Sequence, residues 1–77
     1  MTTNPSVYWI IQDEDTEQFL RDFCTVSFKS EWTNNEREAL YISSFQNAKN
    51  IASTLIVQGR KHLRVYGINL KALFNSN

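Results

Sequence analysis

Only two glycines and one proline punctuate the 77 residues. That is too few for a flexible linker, a low-complexity segment or a glycine-rich loop that cradles phosphate. A chain this short holds one hydrophobic core, so residues 1–77 are expected to form one domain, frayed at 1–5 and 75–77. The single cysteine, Cys24, cannot close an internal disulfide, and secreted domains of this size usually depend on several. A reducing, cytoplasmic setting is therefore expected. One histidine, His62, far from that cysteine, is not a zinc ligand set, which needs three or four donors at defined spacing. No cofactor, metal or catalytic signature is legible, and an enzyme is not expected. The apolar run at residues 7–11 is too short for a signal core or a bilayer span, so no membrane partner is expected.

No acid follows residue 38. Residues 1–40 carry three bases against eight acids, a net −5, and the remainder carries five bases and no acid, a net +5. Either the two halves neutralise each other inside a compact fold or the basic half faces an anionic partner.

What is abundant is aromatic and β-branched. Residues 6–12 (SVYWIIQ) have the composition of a strand. Val7, Trp9 and Ile11 point to one face and Tyr8 and Ile10 to the other, so both faces are apolar and the strand is expected to be central. Residues 13–16 (DEDT) form a turn. Residues 17–23 (EQFLRDF) fit two readings. A helix would gather Phe19, Leu20 and Phe23, whereas a regular strand would set Leu20 opposite the two phenylalanines. In residues 24–32, Cys24, Val26, Phe28 and Trp32 share one parity, predicting an amphipathic strand with Cys24 in the core. A reversal is expected at residues 33–35 (TNN).

Residues 39–43 (ALYIS) are expected to be extended, and Ser43 or Ser44 to cap a helix over 45–58 with Phe45, Ala48, Ile51, Ala52 and Leu55 buried. Gly59 would end it in the left-handed conformation. A longer helix through residues 36–43, opened by a Thr33-x-x-Glu36 capping box, is the competing parse. A last strand carries Leu63 and Val65 and ends at Gly67, followed by an apolar tail over 68–74 that is expected to dock, as a short helix or otherwise. The fold class is thus α+β, a small antiparallel sheet of four or five strands with one main helix packed on it.

The succession of Tyr8-Trp9-Ile10-Ile11, an acidic turn, Phe19-Leu20, Trp32, Ala39, Phe45, Ala48, Ile51 and Ala52 resembles a pattern in small uncharacterised accessory proteins of Gram-positive bacteriophages and prophages. The resemblance covers roughly residues 8–65 and carries no catalytic motif. It implies a β-hairpin at 7–22, later strands, one helix, a closing strand, and an accessory protein that binds something of its host.

Two surfaces are candidates for binding. If one helix covers one sheet face, Tyr8, Ile10 and Leu20 are left as an apolar patch for a protein partner or a second copy of the chain. In the last strand Arg60, His62, Arg64 and Tyr66 share a face. Arg60, Lys61, Arg64 and Tyr66 are then a candidate anion or nucleic-acid patch, unless they pair with the acidic half. With a net charge of zero, the protein-binding reading is preferred.

Overall fold

The computed structural model describes residues 7–69. Its elements are β1 (Val7–Asp13), β2 (Gln18–Phe23), β3 (Ser30–Thr33), a 3-10 turn (Glu36–Glu38), α1 (Phe45–Val57) and β4 (Leu63–Asn69). The strands form one antiparallel sheet in the order β3-β2-β1-β4, with α1 packed on β1 and β4. The fold is the small α+β architecture expected, with four strands and β1 inside the sheet.

Continuous pairing of β1 with β4, from Val7↔Asn69 to Asp13↔Leu63, is the backbone of the molecule. Trp9 and Ile11 of β1 meet Leu20, Ala48, Ala52 and Leu55 on the helix side. Ser44 caps α1 by accepting a hydrogen bond from the Asn47 amide at 3.2 Å. Gly59 follows the helix with φ 118°, the conformation glycine tolerates best. The buried stripe is Ala48, Ala52 and Leu55, with Ile51 half-buried. Phe45 stays 44% exposed but lays its ring 4.7 Å from that of Trp9.

Of residues 17–23, Glu17 closes the preceding turn with φ 63° and Gln18–Phe23 form a strand, of a kind that neither parity nor helical period describes. Leu20 pairs with Trp32 and Phe23 with Ser30, with a register shift between Leu20 and Asp22. Arg21 is thus the extra residue of a bulge. Trp32 and Ser30 share a face, so the bulge brings Leu20 and Phe23 onto the helix side together, where both join the core.

The expected strand over 24–32 is corrected. Residues 24–29 form a tight turn, closed by the Phe28 amide donating to the Cys24 carbonyl at 2.6 Å and the Cys24 amide donating to the Lys29 carbonyl at 2.9 Å. Phe28 adopts φ 58°. The alternation of Val26 and Phe28 therefore marks no buried face: Val26 is 88% exposed, Phe28 is 51% exposed, and Cys24 lies on the surface instead of in the core. The reversal joining β2 to β3 is this turn, and after β3 Asn35 caps the 3-10 turn by accepting from the Arg37 amide.

Residues 39–43 belong to no long helix and make only one bridge, between Ile42 and Trp9. β1 and β2 pair only at Gln12↔Phe19 and Asp13↔Gln18, then diverge. Residues 40–42 occupy the fork: the Leu40 amide donates to the Leu20 carbonyl, and Ile42 and Trp9 exchange two bonds of 2.7 and 2.9 Å. One connection thereby carries the chain from the face of Tyr8 and Tyr66 to that of α1. On the former face, Tyr41 approaches Tyr8, and Tyr66 donates its hydroxyl proton to Glu36 at 3.0 Å.

β4 runs through Gly67 to Asn69 and does not stop at the glycine. Gly67 faces Trp9 across the strand pair, and a Cβ there would lie 3.0 Å from Trp9 Cζ3 and Val7 Cγ1. The glycine makes room for an indole ring. Of the expected tail, Ile68 and Asn69 belong to β4, whereas 70–74 and the two expected frayed ends lie outside the described residues.

Candidate functional site

The turn after β1 and the connection from α1 to β4 lie side by side, because the Glu14 amide donates to the His62 carbonyl at 2.8 Å. Between them opens a polar cleft of about 590 Å³ lined by Asp13, Asp15, Thr16, Ser30, Arg60 and Lys61, among others. Asp13 is its best-held member. It is only 3% exposed, accepts from the Asp15 and Thr16 amides at 2.9 and 3.4 Å, and receives the Arg60 Nη1 at 2.6 Å. Burial pushes its carboxyl up, but the Arg60 hydrogen bond, the two amides and the guanidinium charge outweigh that and hold it below the usual value. The Arg60 guanidinium also lies 4.1 Å over the Trp32 ring, which in turn donates its Nε1 proton to Ser30 Oγ.

The expected basic patch is divided by these contacts. Arg60 is committed to Asp13 and Trp32. Arg64 lies 4.6 Å over the Tyr66 ring, and the Tyr66 hydroxyl donates to Glu36. His62 is exposed and has Nδ1 3.0 and 3.1 Å from the Asp15 carboxylate oxygens. Arg60, His62 and Tyr66 thus meet Asp13, Asp15 and Glu36 of the acidic half, the pairing alternative open in the sequence. Lys61 stands exposed at the cleft, and among the described residues it alone of the four patch residues has no such arrangement.

Tyr8, Ile10 and Leu20 do not share an exposed surface. Leu20 is in the helix-side core, Ile10 is on the other face, and both are fully buried within one chain. The β1–β2 register, which pairs Gln12 with Phe19 and so sets Leu20 on the helix side, and the passage of residues 35–42 beside Tyr8 and Tyr66, which supplies a cover that one helix could not, account for this.

The exposed apolar surface lies elsewhere. The tip of the 24–29 turn carries Val26 and Phe28, and the end of α1 carries Val57, 86% exposed. Gln58 Nε2 donates to the Phe28 carbonyl at 2.9 Å and ties the two together. Phe28, Thr54, Val57 and Gln58 line an open, mostly apolar groove of about 340 Å³. Sequence reasoning missed this surface because Val26 and Phe28 imitate a strand. The available signal was Val57, an apolar residue off the buried stripe of its helix.

Comparison with protein-family models, with curated proteins and with solved structures finds no match to this chain. Among the described residues no helix is long and apolar enough to cross a membrane.

Proposed function

We propose that the protein is a small protein-binding module that acts by association and not by catalysis, of the phage accessory kind its residue pattern resembles, working in the cytoplasm. The observation that carries this reading is the uncharged apolar surface of Val26, Phe28 and Val57 beside the groove at Thr54 and Gln58. Large apolar side chains grouped on a small monomer mark contact sites, since leaving them in water gains nothing for the fold. The alternative is nucleic-acid binding through Arg60, Lys61, Arg64 and Tyr66, but it would have to draw Arg60 and Tyr66 away from carboxylates they already hold.

Capture from a Gram-positive lysate that also contains the untagged chain, with the wild-type chain and with Val57→Asp as baits, separates the two. The expected result is a protein retained by the wild type, lost on Val57→Asp, and indifferent to nuclease. Retention that disappears with nuclease and weakens steeply with salt, as phosphate contacts do through counterion release, would replace this reading with the nucleic-acid one.

A further inference from the structure

We infer that the occupant of the Val26, Phe28 and Val57 surface is a second copy of this chain, joined across a two-fold axis. The inference rests on that surface being a protein-binding one. A two-fold interface needs a patch that contains both halves of its own contact, because residue i of one copy meets residue j of the other and the reverse. This patch contains both. Val26 stands out at the tip of its turn, 88% exposed, while Phe28 and Val57 flank an apolar recess of about 340 Å³ two residues away along the same turn. In such a dimer each Val26 would enter the other copy's recess.

The charge pattern favours the same occupant. From residue 23 to 28 (FCTVSF) and from 50 to 59 (NIASTLIVQG) there is no charged side chain. Two copies can therefore meet here without like charges opposing one another, which costs most self-pairings of charged surfaces several kcal/mol. A patch without charge also offers a charged partner no electrostatic complement. An interface of roughly 800 Å² per partner would take about 15% of the 5356 Å² surface. Val26, Phe28 and Val57 would form its centre.

Cys24 lies in the same turn and is exposed, so it reports on the contact. Sedimentation velocity of the full chain from low to several hundred micromolar, with Val26→Asp and Val57→Asp beside it, is the test. Both valines are almost wholly exposed, so both variants should keep the wild-type circular dichroism. The expected result is a monomer–dimer equilibrium in the wild type whose dissociation constant rises at least tenfold in each variant. A short bis-maleimide should link two Cys24 thiols in the wild type and fail to do so in Val57→Asp. A wild type that is monomeric throughout overturns the inference, as does a dimer that both variants leave unchanged. If the wild type is monomeric and Val57→Asp still loses a captured protein, the binding surface stands and the second copy as its occupant falls.

Discussion

Glu36 gathers two phenols, one on its side chain and one on its backbone. Tyr66 donates to its carboxylate at 3.0 Å, and Tyr41 donates to its carbonyl at 3.2 Å. Burial, then the hydrogen bond to Glu36 and its negative charge, push the Tyr66 hydroxyl up to about 12. Because the folded value lies above the unfolded one, this group stabilises the fold fully below about pH 10, and the contribution is lost as pH rises through about 12. Ultraviolet titration should therefore show a tyrosine ionising near the top of that range, and Glu36→Gln should bring its midpoint down. An unchanged midpoint would mean that the carboxylate is not what holds the proton. At Cys24 the shift runs the other way. A hydrogen bond from the Ser27 side chain, with the Ser27 and Val26 amides, favours the thiolate and holds the thiol below its usual value. Iodoacetamide should label Cys24 at lower pH than an unstructured cysteine, and Ser27→Ala should move the labelling midpoint upward. A midpoint unaffected by that change would show the serine to be idle.

At the scale of elements, β4 depends on what its central glycine leaves empty. Any side chain at Gly67 enters space held by Trp9 and Val7, and Trp9 in turn supports Phe45 at the start of α1. Gly67→Val should cost about 2 kcal/mol through overpacking, read from urea unfolding, although valine is ordinarily the better strand residue. Gain of stability would mean the indole has room to move. This glycine also illustrates what a sequence conceals. Reading Gly67 as a strand terminator used local punctuation, whereas its meaning comes from a residue near the other end of the chain. The bulge at Arg21 is similar, because one extra residue changes which side chains share a face and leaves no trace in composition. By contrast α1 was legible, since its small-residue stripe, Ser44 cap and Gly59 stop all report on local backbone. So was the two-faced β1. Residues 39–42 carry the right extended character, but their place in the fork between β1 and β2 depends on two other strands diverging.

On the scale of the whole molecule, the acidic first half and basic second half are joined most firmly where the turn after β1 meets the start of β4. Of the contacts between them, His62 with Asp15 is exposed on both sides and contributes little. Arg60 with Asp13 is different, because the carboxylate is almost wholly buried. Charge separation along the sequence announced that such pairing was available, but not that Asp13 and Arg60 would form it over the Trp32 ring. Removing the guanidinium with Arg60→Ala should destabilise the protein by about 2 kcal/mol at neutral pH, the scale of a charged hydrogen bond lost to a buried acceptor. The sign of the pH dependence follows from the lowered Asp13 value. A carboxyl whose folded value is depressed stabilises the fold above its unfolded value of 3.8 and ceases to do so as pH falls through the folded one. The gap between wild type and Arg60→Ala should therefore be widest near neutrality and close in acid, where Asp13 is protonated in both. Urea unfolding at a series of pH values measures that gap. A difference that persists undiminished through the carboxylate range would place the role of Arg60 in its packing on Trp32, and not in its charge.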